Sequence, residues 1–196
     1  MRMRELWTTV AVSLLLPIGA AATAAIEVPG IDNFHQVNER LYRGAQPTAE
    51  GWAGLAKLGI HTVVDLRRET EHSTAEERKA VEAAGMHYVN FAMNGWDTPT
   101  TDQMAKLLPL LEGEGPVFVH CKQGRDRTGS VIAAYRIARE RWTNDKAMAE
   151  ANACGMHWFE RGMKRFIAGY RVAPEALAQA VAVAPDSARV AAAATP

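Results

Sequence analysis

Residues 120–129, HCKQGRDRTG, put one cysteine, two glycines and four charged side chains into ten positions. They follow the apolar run Pro116-Val117-Phe118-Val119 and precede an amphipathic stretch that begins at Ser130. A loop turning from a strand into a helix aims successive backbone N–H groups into a concavity, and the helix N-terminus adds partial positive charge. Gly124 admits a backbone turn that a side chain would forbid, and Gly129 permits close packing where the helix starts. Such a cradle suits a tetrahedral oxyanion. Cys121 lies at its floor, where the loop dipoles and Arg127 favour thiolate over thiol. Arg127, six residues further on, can hold two oxygens of the anion at once. A thiolate beneath a bound phosphate is an activated nucleophile.

The elements around this loop must place it. RLYRG (40–44) reads as a short strand stopped by Gly44 and Pro47, and residues 48–58 as a helix with Trp52, Leu55, Ala56 and Leu58 on its apolar side. IHTVVDL (60–66) is a buried β-branched strand. Thr74 and Glu77 have capping-box spacing for a helix that ends near Gly85. MHYVNFAM (86–93) is the next strand, followed by the loop NGWDTPT (94–100). Thr100 and Gln103 form a second capping box, for a helix through about Leu111. After the strand 117–119 come helices at 130–141, 144–153 and 157–170. Alternating strands and helices predict an α/β fold, with a mainly parallel central sheet covered by helices on both faces. In such sheets ligands sit beyond the carboxyl ends of the strands, where residues 120–129 fall.

The string His120-Cys121-x5-Arg127-Thr128-Gly129 resembles the signature loop of the cysteine-dependent tyrosine and dual-specificity phosphatases. YRGAQPT (42–48) and GIHTVVDLR (59–67) look like the opening of the atypical dual-specificity branch found in bacteria, fungi and plants. Together the similarity spans roughly 40–142. The resemblance implies a phosphatase-type hydrolase in which Cys121 forms a cysteinyl-phosphate, with no metal and no cofactor. Arg127 would bind substrate and stabilise the transition state, assisted by the backbone amides of Lys122, Gln123, Gly124, Arg125 and Asp126. Thr128 would hydrogen-bond the sulfur, and His120 would orient the loop and help hold the thiolate. The family draws its general acid from an aspartate on a loop after an earlier strand. That makes Asp97 the candidate, with Asp102 and Asp126 as alternatives. Basic residues at the positions of Lys122 and Arg125 resemble the loops of lipid- and inositol-phosphate-directed members. The substrate classes implied are polyphosphorylated small molecules or lipids, and phosphotyrosine proteins. A rhodanese-like sulfurtransferase and a phosphate-binding module without turnover are the competing readings.

Elsewhere the chain is less specific. It carries 22 basic and 22 acidic residues among 196, so no overall basic field points to nucleic acid. Residues 1–24 have arginines at the front, an apolar centre and a small-x-small end at Ala22-Thr23-Ala24. This predicts a signal peptide cut after Ala24 or Ala25 and a periplasmic or secreted protein, with membrane contact only if the segment is retained. The phosphatase domain then covers 25–172, and the alanine-rich 173–196 forms a weak helix or a disordered tail. Cys154 reads as a buried helix residue or a resolving partner for Cys121. Asp65, Arg67 and Arg68 brace the site or pair near the surface. Trp52, Trp142, Trp158 and Phe166 read as core packing. The histidines 35, 61, 72, 87 and 157 show no ligand spacing, so no metal is expected.

Overall fold

In the computed structural model, which describes residues 26–172, the sheet is built around the strand that delivers Cys121. Its strands are β1 (His35–Gln36), β2 (Leu41–Gly44), β3 (Thr62–Asp65), β4 (His87–Asn90) and β5 (Val117–His120). They lie in the order β1-β2-β5-β3-β4. The last four are mutually parallel, and β1 adds an antiparallel edge. β5 is thus central, and His120 stands in register with Gly44 on one side and Asp65 on the other. The expected signal segment and the alanine-rich tail lie outside the described residues.

Side chains alternate across the pleat, so each strand feeds two cores. Tyr42, Val63, Tyr88 and Phe118 face α1 (Ala49–Lys57) and α2 (Thr74–Ala83), where Trp52, Leu55 and Val81 complete the cluster. Leu41, Val64, Val117 and Val119 face the opposite layer. That layer holds α3 (Thr101–Leu107) with a 3₁₀ turn at Leu108–Glu112, α4 (Asp126–Arg139), α5 (Asn144–Ala153) and α6 (Arg161–Gly169). α4 is the hub: Val131, Ile132, Ala133 and Ala134 are all within 1% of full burial, and small residues there let α5 and α6 approach closely.

Several boundaries differ from the sequence expectation, each for a local reason. The helix predicted from Ser130 begins at Asp126, so Arg127 and Thr128 belong to its first turn and are held by helical geometry. The helix predicted from His157 begins only at Arg161, because residues 157–160 turn to pack on the cysteine loop. The capping box expected at Thr74 shifts by one: Ser73 is the cap and accepts from the Glu76 amide. Glu77 is thereby released to a buried network. The Thr100–Gln103 box forms with both of its bonds. Trp52 and Phe166 are core residues as expected, but Trp158 is 78% exposed. Trp142 is half-buried, with the guanidinium carbon of Arg136 at 4.3 Å and Lys146 Nζ at 3.7 Å from its ring centre. Among the described residues no helix is long and apolar enough to cross a membrane.

Candidate active site

The loop after β5 is shaped from behind by its carbonyls. The Lys122 carbonyl accepts from the Gln46 amide at 3.3 Å, and the Arg125 carbonyl from the Gly129 amide at 2.7 Å. The Gly124 carbonyl accepts from Arg43 Nη2 at 2.6 Å and from Asn33 Nδ2 at 3.0 Å. With the carbonyls turned outward, the N–H groups of Lys122 to Arg127 donate to nothing among the described residues. Gly124 makes this possible, having φ +67°; a Cβ there would sit 2.4 Å from the Gly44 carbonyl. At Gly129 a Cβ would press on Met156 at 3.0 Å.

Arg43 is 1% exposed, and its Nε and Nη1 have no hydrogen-bond partner among the described residues. Burial pulls its pKa down, against the pull of Cys154, Glu150 and Cys121. The guanidinium therefore puts a poorly solvated positive charge beneath the loop. Such a charge is costly unless an anion compensates it.

Cys121 is 4% exposed at the floor of a cavity of about 220 Å³. Arg127 reaches the same cavity with most of its donors assigned. Nη1 bonds Glu71 Oε1 at 2.7 Å, the Met93 carbonyl at 3.2 Å and the Leu66 carbonyl at 3.4 Å, while Nη2 bonds Glu71 Oε2 at 2.8 Å. This leaves the Nε–H and one Nη2–H, which lie on the same edge of the guanidinium and match two oxygens of a phosphate. Burial raises the Glu71 carboxyl, but its bonds from Arg127 and Arg68 outweigh this and hold it at about 2. Burial alone would lower Arg127; Glu71 and Cys121 instead push it above its ordinary value.

The other expected residues divide. Lys122, Gln123 and Asp126 line the cavity. Arg125 lines a neighbouring cleft of about 450 Å³ that shares Lys122 and Gln123 with it. Asp126 is wholly engaged, its Oδ1 accepting from the His157 amide and its Oδ2 lying against His157 Nδ1, each at 2.8 Å. The Thr128 hydroxyl is buried and has no partner among the described residues, so it makes no bond to the sulfur here. His120 faces away from the thiol: Nδ1 lies 3.4 Å from the Cys121 carbonyl and Nε2 3.0 Å from Glu77 Oε1. The ring stacks on Phe118 at 5.5 Å. His120 thus steadies the loop backbone at the Cys121 carbonyl.

Asp97 lies outside the cavity lining; its Oδ2 accepts from Asn94 at 2.8 Å, within its own exposed loop. The loop itself does cover the site, since Gly95 lies against the Arg127 guanidinium and Trp96 lines the cavity. Asp102 sits in the first turn of α3 and does not line the cavity. Cys154 is free and half-buried in the neighbouring cleft, its thiol pushed up by burial.

Sequence reasoning missed four wall residues: Glu71, His157, Phe159 and Glu160. The aromatic run His157-Trp158-Phe159 after Gly155 was the available signal, and Glu71 had none. Asp65 and Arg67, read as a brace or a surface pair, are buried. Arg67 bonds both Asp65 and Glu77, Tyr88 donates to Asp65 at 3.0 Å, and His72 lies 2.9 Å from Asp65 Oδ2. Burial raises Asp65, but His120 and Arg67 outweigh it and hold the carboxyl below the usual range. Asp65, His72 and Glu77 offer ligand atoms within 4.8 Å of one another. Arg67 already bonds both carboxylates, so this donor set does not fit a metal ion.

A cysteine at the C-terminal end of a central parallel strand, beneath free loop amides and six residues before an arginine, defines the cysteine-dependent phosphatase class. The chain belongs to the family described as "DSP-PTPase phosphatase fused to NAD+ Kinase", whose model matches residues 27–167. It is 31% identical over 148 residues to the dual specificity protein phosphatase TpbA of Pseudomonas aeruginosa, covering 71% of this chain and 65% of that protein. The chain therefore spans just under two thirds of that relative's length. It is 26% identical to the inositol diphosphatase DSP5 of Arabidopsis thaliana, over 71% of this chain and 70% of that one. A crystal structure of Pseudomonas TpbA in complex with pTyr superposes with a TM-score of 0.68 at 26% identity, covering 80% of this chain and 94% of that one.

Proposed function

We propose that this chain hydrolyses phosphate monoesters through a cysteinyl-phosphate at Cys121. The observation that carries this reading is the set of unused donors over the buried sulfur: the amides of Lys122 to Arg127 and one edge of Arg127. These donors match the equatorial oxygens of a phosphoryl group in flight, where preorganised dipoles contribute most. In the first step the Cys121 thiolate attacks phosphorus, an S–P bond forms, and the P–O bond to the leaving group breaks. The leaving oxygen takes a proton from a carboxylic acid, for which Asp97 on the loop that covers the site is the candidate. In the second step water attacks phosphorus, the S–P bond breaks, and thiolate and orthophosphate are released.

For the substrate, two observations point to different arms. Lys122 belongs to both the reaction cavity and the adjoining cleft, where Arg125 stands. A substrate with a second phosphate would meet both cations there, in line with the inositol diphosphatase relative. Trp96 and Phe159, both exposed, rim the reaction cavity and would flank an aryl ester. This second arm is in line with the dual specificity relative. We further propose that the protein is exported, on the charge and apolar pattern of residues 1–24.

The test of the chemistry is phosphate release from an aryl phosphate by wild type and Cys121→Ser. The serine variant should be inactive with an unchanged circular dichroism spectrum, and vanadate should inhibit the wild type competitively. Turnover by the serine variant at the wild-type rate would sink the mechanism. Thiosulfate turnover without phosphate release would favour sulfur transfer instead.

A further inference from the structure

We propose that Arg43 is the counter-charge of this site, a positioning residue outside the cavity lining that favours the Cys121 thiolate and the phosphate bound above it. The phosphate comes from the phosphatase reading, on which the proposal rests, whereas the thiolate can be measured without turnover.

Four arginines are buried among the described residues: Arg43, Arg67, Arg127 and Arg136. Three are matched by carboxylates. Arg67 pairs with Asp65 and Glu77, Arg127 with Glu71, and Arg136 with Glu140 and Glu150. Arg43 has one side-chain bond, from Nη2 to the Gly124 carbonyl at 2.6 Å, and its Nε and Nη1 donate to nothing among the described residues. A guanidinium does not shed its proton in compensation, so the charge persists where it is costly.

Three groups near Arg43 could answer that charge: Cys154, Glu150 and Cys121, with Arg136 opposing them. Burial pushes the Cys154 thiol up, so it stays protonated. Glu150 gives both carboxylate oxygens to Arg136. His35 on β1 is pushed down, by burial first and Arg43 second, and brings no negative charge. Cys121 is left. Arg43 stands in register with Val119, two residues before that cysteine, and a Cβ on Gly129 would lie 3.9 Å from its Nη2. It therefore sits between the end of β5 and the first turn of α4, whose dipole presents the same sign. Two positive poles side by side call for an anion facing both. Arg127 does not supply this charge, because Glu71, held at about 2, matches it. That pair offers donors but no net charge to a cavity that must hold thiolate and phosphate together. Arg43 adds a full charge, acting through packed protein where screening is weaker than in water.

The experiment follows alkylation of Cys121 by iodoacetamide across pH, read by peptide mapping, in wild type, Arg43→Met, Arg43→Lys and Asn33→Gly. Arg43→Met should move the midpoint to higher pH by about one unit and raise the inhibition constant of vanadate roughly tenfold. No carboxylate loses a partner in this variant, so its urea midpoint should be no lower than that of wild type; a packing role predicts stability and activity falling together. Arg43→Lys should restore both values. Asn33→Gly removes the other side-chain bond to the Gly124 carbonyl, at 3.0 Å, keeps the charge, and suits a backbone with φ +51°. Its alkylation midpoint should match wild type. Should Arg43→Met fail to fold, Arg43→Lys against Arg43→Gln makes the same comparison of charge. An unmoved midpoint on loss of the charge overturns the proposal, as does an equal shift in Arg43→Lys or Asn33→Gly. A wild type that releases no more phosphate than Cys121→Ser fails the phosphatase reading, while the alkylation midpoints still decide for or against Arg43.

Discussion

Removing the charge of Glu71 tests how the substrate-binding edge of Arg127 is aimed. Glu71→Gln keeps the shape but gives up the two-pronged bond to Nη1 and Nη2 at 2.7 and 2.8 Å. The displacement of its carboxyl from 4.5 to about 2 corresponds at face value to about 3 kcal/mol. Glu71 faces solvent on one side, and screening reduces this to about 1 kcal/mol. Because the folded value is depressed, that stability is fully present above the ordinary carboxyl range and is lost as pH falls from 4.5 towards 2. Urea unfolding should therefore show the variant less stable by about 1 kcal/mol at pH 7, with the two proteins converging near pH 2. Activity should suffer as well, since the carbonyls of Leu66 and Met93 hold only Nη1 and leave the guanidinium free to swing. We expect kcat/KM for an aryl phosphate at pH 7 to fall roughly tenfold, equivalent to 1.4 kcal/mol of transition-state stabilisation. Wild-type kinetics in Glu71→Gln would refute the positioning argument. A stability gap that persists unchanged at pH 2 would refute the electrostatic one.

The double variant Lys122→Ala/Arg125→Ala should raise KM for an inositol polyphosphate several-fold more than for an aryl monophosphate; equal effects would leave phosphotyrosine protein as the better substrate class. Export is checked by the N-terminal residue of the protein recovered from its natural host: cleavage after Ala24 or Ala25 is expected, and an intact Met1 would refute it.

The sequence made the reacting centre legible because its elements are local. Cys121, Gly124 and Arg127 act through a strand, a turn and a helix start that follow one another directly, so residue types and spacing carry the chemistry. The sheet was legible for a similar reason: β-branched runs separated by helical periods leave few alternatives to a parallel arrangement. The edge strand β1 escaped notice, because two exposed residues offer no alternation to read. The start of α4 was displaced because the charges of Arg125 to Arg127 read as loop, whereas the fold needs them in the first helical turn, where Arg127 turns back over the cavity.

The wall of the site was illegible because tertiary docking decides it. His157 and Glu160 lie more than thirty residues beyond Cys121, and nothing in their spacing marks them. They reach the cavity because Asp126 takes both the amide and the ring nitrogen of His157, stopping residues 157–160 from joining α6. Glu160, at the cap position of α6, makes no side-chain cap bond and lines the cavity. Asp126 thus spends on docking a carboxylate that sequence reading offered as an acid. Disrupting the Asp126–His157 contact should therefore release residues 157–160 from the cavity wall without touching the cysteine loop's own turns. The cavity would then lose the wall formed by His157 and Phe159 while the phosphate cradle, built from the strand end and Gly124, stayed intact.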